Sequence, residues 1–300
     1  MLGIQTLLHN AVVGKEFKSR MRGWRSTVII TVYMALLGAI AVAFLVQQTG
    51  PTTSESSQVG IQLFQALSIF QLFLIIFVTP ASTAGAISGE RQRQTWDLLL
   101  VTRLSSFGIV WGKLVAGLAF GLLLIFASLP LFSLVFLFGG VAPEDVVHTY
   151  LVFLVTILLF GVISLFISAL TPRLAVSMVV SNVIALMLSV GLSLLAAYLV
   201  GTSQHGSICG PRGCSPPPQP VLTPFAQIDP LVALLSALPN GTGGTLLGGL
   251  GVIHHAFGLH LKMQLWEAYC IIGPVASIVL LLLSALLVRN APRWLTVGTT

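Results

Sequence analysis

The sequence predicts an all-α membrane protein: six transmembrane helices, an N-terminal amphipathic helix on the membrane surface, and short outer-interface helices between spans five and six. Three observations carry this reading. Of 300 residues, 56% are hydrophobic and only 7% charged, where a soluble domain carries about 25% charged residues. Mean hydropathy is +0.99, and apolar runs of about 18 residues or more, the length that crosses a bilayer, recur along the chain. The 14 Lys and Arg cluster in short segments beside those runs, so the net charge of +6 reads as membrane topology and not as a nucleic-acid footprint. A water-soluble globular protein is excluded.

Residues 1–26 form the first element. Their apolar stretch precedes the basic cluster, the reverse of a secretory signal, so no cleaved signal is expected. Lys15, Lys18, Arg22 and Arg25 recur at helical spacing, while Val13, Phe17, Met21 and Trp24 line another face. That pattern fits a helix lying in the inner leaflet, with ordinary flanking charge as the alternative. Residues 27–200 hold spans one to five, at roughly 27–46, 61–87, 109–138, 150–170 and 176–200, and 268–300 holds span six, at roughly 268–288, with a tail. Spans two and three exceed the length needed, so tilt, a kink at Pro80 or Pro130, or projection beyond the lipid must absorb the excess. Twelve of the basic residues fall on the side of both termini and only Arg212 and Lys262 opposite, which places both termini in the cytoplasm.

The outer segment 201–267 opens on a Cys, Pro and Gly cluster in which consecutive prolines break any helix. Two apolar stretches follow, 230–238 and 246–261, each read as a helix at the outer interface. Cys209 and Cys214 suit a small disulfide in an oxidising compartment, with a reduced pair as the alternative; a metal site there needs more ligands. His254, His255 and His260 lack the HExxH arrangement, so no metal and no catalytic residue is expected.

The loop 88–106 between spans two and three mixes Glu90, Arg91, Arg93, Thr95, Asp97 and Arg103 with Trp96 and three successive leucines. A solvated linker needs no such anchor. The composition suits a short helix that buries one side on its own domain and offers a polar rim with an aromatic anchor to a soluble partner. An interfacial helix held by lipid is the alternative. Within the spans, Gln65, Gln71, Thr79, Ser82 and Asn182 are candidates for a substrate pathway, because a polar group in lipid is costly without a purpose. Interhelical hydrogen bonding is the competing purpose.

The same loop resembles the signature of permease subunits in the type-2 ABC exporter superfamily. The resemblance rests on Gly89, Glu90, Arg91, Thr95, Asp97, the leucines 98–100, and Gly112, Lys113 and Leu114. Lys15, Glu16, Arg20 and Arg22 are similar to that family's membrane-surface connecting helix. What this implies is a permease subunit of an ATP-driven ABC exporter in the cell's inner (cytoplasmic) membrane. Its loop would act as a coupling helix seated in a separate ABC ATP-binding subunit, present in two copies. A second permease chain, expected as a homodimer, would complete the pathway in the lipid bilayer, with ATP and Mg on the partner and no cofactor in this chain. The sequence bears on this independently. A P-loop needs GxxxxGK followed by Ser or Thr, and the two Gly-Lys pairs here continue into Glu16 and Leu114, so hydrolysis is expected on another polypeptide. The competing classes are an ATP-independent channel or secondary carrier, which would want an ionisable group near the membrane midplane, and a membrane metal-dependent enzyme.

Overall fold

A computed structural model describes residues 24–47, 56–94, 106–204, 209–210, 213–214, 227–239, 252–253 and 263–289. The N-terminal segment before Trp24 therefore lies outside the described residues, as does most of the second stretch read as an interfacial helix. Helix α1 is Trp24–Gln47, α2 Ser56–Thr83, α3 Gly85–Gln92, α4 Ser106–Ser133, α5 Val135–Phe138 and α6 Pro143–Leu170. Helix α7, Leu174–Leu186, runs through a π-turn at Met187–Gly191 into α8, Leu192–Gln204; α9 is Pro230–Ala237 and α10 Leu265–Arg289. Six of the resulting rods are long and apolar enough to cross a membrane: Thr27–Val46, Ser57–Gln92, Val110–Phe138, Pro143–Leu170, Leu174–Tyr198 and Leu265–Val288.

Span four is the centre. It packs on spans two, three, five and six and on α9, and 67% of its most apolar window is buried, against 17% for span one. Span one touches the bundle through one stripe only: Tyr33, Leu37 and Ala41 recur every fourth residue and are buried, the spacing that keeps side chains on one helix face. Val28, Val32 and Leu36 on its other side are exposed. Phe132 of span three gathers Phe64, Tyr150 and Phe153 in edge-to-face contacts with centroids 5.5–6.5 Å apart, the arrangement favoured by the ring quadrupole.

Spans two and three run 36 and 29 residues, and each is interrupted a few residues after its proline. Pro130 precedes an interruption at Leu134, where Leu134 N–H bonds to Leu131 O at 3.2 Å and the Ser133 hydroxyl takes Pro130 O at 2.7 Å. Gly139 and Gly140, with φ of 77° and 85°, then turn the chain, a backbone that a Cβ would strain. Span four starts at Pro143, seven residues before the sequence placed it. Pro at the first helical position needs no donor, and the Asp145 carboxylate accepts the Ala142 N–H at 3.1 Å. Span six likewise starts three residues early, its entry held by Glu267, which accepts the Gln264 N–H at 3.0 Å.

Between spans five and six, Pro230–Ala237, within the first stretch read as an interfacial helix, is helical, with Val232, Ala233 and Leu234 fully buried. Val252–Ile253 pairs antiparallel with Met263–Gln264, so at those two residues the chain is extended and not helical. Cys209 and Cys214 stand opposite each other in a second two-residue pairing, a register that puts their Cα atoms within the span of a disulfide.

Candidate functional site

The candidate site is the end of span two that leads into segment 95–105, which lies outside the described residues. Pro80 has no N–H and its ring crowds the carbonyl four residues earlier, and span two is interrupted at Ala84, between α2 and α3. Hydroxyl groups fill the break. Ser82 and Thr83 donate to Thr79 O at 2.8 and 2.9 Å, and Ser164 of span four donates to Pro80 O at 3.0 Å. Ala84 O accepts the Ser88 hydroxyl at 2.9 Å and that of Ser177, from span five, at 2.8 Å. Ser168, one turn along span four from Ser164, accepts the N–H groups of Ile87 and Ser88 at 3.1 and 2.9 Å. Side chains that enter the helical ladder bend it, and here they also give the buried backbone groups partners.

Past the break, α3 is anchored to three other spans. The ammonium of Lys113, on span three, lies 2.7 Å from Glu90 Oε1 and donates to Ala86 O at 2.7 Å. Its side chain is 1% exposed and that of Glu90 25%. Arg91 donates to Ala169 O at 2.8 Å, in the last turn of span four, where the helix dipole favours a cation. Gln92 Oε1 accepts the Leu174 N–H at 3.3 Å, one of the first donors of span five, which have no partner within their own helix. The segment stops at Gln94, whose φ of 56° is left-handed and whose N–H bonds to Arg91 O at 3.0 Å. Gln92, Arg93 and Gln94 are exposed.

The loop residues read as partner-docking thus separate. Arg93 is exposed, Arg91 half-buried and bonded to span four, and Glu90 paired with a buried lysine. Thr95, Trp96, Asp97 and Arg103 lie outside the described residues. Among the pathway candidates, Gln71 is buried and accepts the Tyr33 hydroxyl, and Thr79 is buried beneath the Pro80 break. Gln65 donates to Pro239 O at 3.0 Å, which ties span two to the end of α9. Ser82 is half-buried in the break. Asn182 is half-buried on span five and donates to its own helix at Met178 O, 2.9 Å. Gln65 and Gln71 therefore bond to other elements of the same chain, the other use of polar groups in a membrane, while the Thr79 hydroxyl is buried with no hydrogen-bond partner among the described residues.

Sequence reading did not single out the hydroxyls of Ser164, Ser168 and Ser177, nor the ion-pair role of Lys113. A signal for the first two exists: Ser164 and Ser168 stand four apart in an apolar helix, which puts both on one face. Among the described residues no group of three His, Cys, Asp or Glu could hold a metal. The arrangement suits mechanical transmission more than bond chemistry, since each contact ties α3 to another span.

Residues 10–288 match the model of a family described as ABC-2 family transporter protein. No curated protein matches the chain significantly.

Proposed function

The chain belongs to the ABC-2 transporter protein family, a multi-pass membrane protein and the permease component of an ABC transporter, and from that premise we propose that it is the pathway-forming subunit of an ATP-driven exporter. Two copies of a separate ATP-binding subunit carry ATP and Mg, two permease chains pair as a homodimer in the inner membrane, and both termini face the cytoplasm. The observation that supports this best is the anchoring of α3. A load applied to segment 95–105 reaches span three through Glu90 and Lys113, span four through Arg91 and Ser168, and span five through Gln92 and Ser177. Closure of the ATPase dimer would tilt α3 about the hydroxyl-filled break at Ala84 and switch the cavity between inner and outer access. The apolar spans suit a lipophilic or amphipathic cargo.

The test is purification of the tagged chain from its native membrane, with identification of co-purifying proteins and an ATPase assay. A stoichiometric P-loop partner is expected. A chain that comes down alone and moves solutes in liposomes without ATP would overturn the reading in favour of a channel or carrier. Within the complex, Arg93→Glu should reduce the co-purified ATPase roughly tenfold, the scale for loss of an interface arginine anchor, with membrane insertion unchanged. Undiminished recovery of the partner would remove Arg93 from the docking surface.

A further inference from the structure

At the end of the bundle opposite Arg91, Asp229 is 0% exposed. It caps α9: Oδ1 accepts the Leu231 N–H at 2.9 Å, ahead of Pro230 at the first helical position. Capping aspartates ordinarily face water and carry their charge there, favoured by the helix dipole. Here Oδ2 instead meets the hydroxyl of Ser193 at 2.7 Å, two residues past the π-turn Met187–Gly191. π-turns are rare and cluster at functional sites.

Ser193 faces a choice. Its hydroxyl also lies within hydrogen-bond reach of Ser189 O, inside the π-turn, and one hydroxyl carries one proton. With Asp229 ionised, that proton must serve the carboxylate. With Asp229 protonated, the acid O–H donates to Ser193 Oγ, and Ser193 turns its own proton to Ser189 O. Both oxygens are then satisfied in a single direction, Asp229 to Ser193 to Ser189.

We propose that Asp229 is a proton-binding site that couples α9 to the π-turn of span five, with the Ser193 hydroxyl as the element that reverses.

The surroundings favour this. Helix α9 packs on spans two, four and six and on the π-turn. Span six brings Glu267, Tyr269 and Cys270, and Tyr269 interacts electrostatically with Asp229. Span four brings Glu144, Asp145, His148 and Tyr150 at its near end, and span five Tyr198; the facing half of span two has no ionisable side chain. Of these only His148 can become a cation, and it stacks on Trp266 at 4.2 Å. Among the described residues no cation pairs with Asp229. Burial accordingly pushes its carboxyl up to about 7, against the opposing pull of Ser193 and the helix N–H groups.

The sign of the pH effect follows by linkage. The folded carboxyl keeps its proton to higher pH than the unfolded one, which releases it near pH ~3.9, so the folded state binds the extra proton across that window. Stability therefore falls as pH rises toward about 7 and levels off above it.

The experiment uses the full chain in lipid nanodiscs. Infrared difference spectra should show a carboxylic C=O band that titrates near neutral pH, absent in Asp229→Asn and moved to higher pH in Ser193→Ala, which removes a donor to the carboxylate. Thermal midpoints of the wild type should fall between about pH 5 and pH 7, and Asp229→Asn should flatten that slope. If Asp229→Asn fails to fold, the band in the wild type and its shift in Ser193→Ala decide alone. Carboxyls fully ionised at pH 6, or a neutral-pH band indifferent to Ser193→Ala, would overturn the proposal. None of these readouts depends on an ATPase partner.

Discussion

Glu90→Gln should damage the protein more than Lys113→Met, and the double variant should recover most of the loss. The two halves of the pair differ in burial, 1% exposed for Lys113 and 25% for Glu90. Removing the Glu90 carboxylate breaks the pair on the side of a buried ammonium, and breaking a buried pair from one side costs about 3–5 kcal/mol. Removing the ammonium leaves a carboxylate that can turn toward water, at a fraction of that cost. Replacing both removes the buried charge together with its partner, and apolar replacement of a buried pair is often neutral. Thermal unfolding of the three variants in one detergent gives the order directly. Equal losses in the single variants, or a double variant as weak as their sum, would contradict the asymmetry. The same argument bears on docking. An alanine at Glu90 perturbs span three, so loss of coupling in that variant would not report contact with a partner, whereas Arg93 is exposed and reports it cleanly.

The second large effect is expected where span three crosses the Ala84 break. Gly117 is buried against Thr83, and a Cβ at 117 would overlap Thr83 Cγ2. Thr83 has little freedom to yield. It is β-branched in a helix, and its hydroxyl donates to Thr79 O at 2.9 Å. Gly117→Ala should therefore cost about 1–3 kcal/mol, the range for overpacking a tight interior. Adding Thr83→Ser should restore most of it, because serine keeps the hydroxyl bond and drops the methyl group. Unfolding midpoints of the single and double variants test the packing, and ATP turnover in the complex tests its consequence for the lever. A Gly117→Ala protein as stable as the wild type, or one that Thr83→Ser does not rescue, would show that the helices approach less closely.

The ion pair of Glu90 and Lys113 shows how far the sequence could be read. Glu90 stands in a charged, leucine-rich loop and is legible as a residue that meets something. That it meets Lys113, on the next span, is not legible, because a charge pattern records which groups are present and not which helix face they reach. Ser164 and Ser168 are similar. Their spacing marks one polar stripe on span four, yet only the approach of span two turns that stripe into caps for Ile87 and Ser88. Asp229 caps α9. Its burial came from the packing of α9 on four neighbouring elements.

The sequence by itself determined what depends on one helix at a time. The number of spans follows from runs of apolar residues longer than a bilayer is thick, since a segment with that hydropathy has no stable place in water. The excess length of spans two and three, the breaks near their prolines and the loop that carries the family resemblance are likewise local. The tertiary structure decided what depends on two helices together: span four at the centre, Lys113 against Glu90, the hydroxyls gathered at Ala84, and a carboxyl closed off beside a π-turn. Lipid tails are as apolar as the helix faces they touch, so hydropathy does not select which faces meet. Close packing and hydrogen bonds between helices make that selection, and they exist only once the helices have assembled.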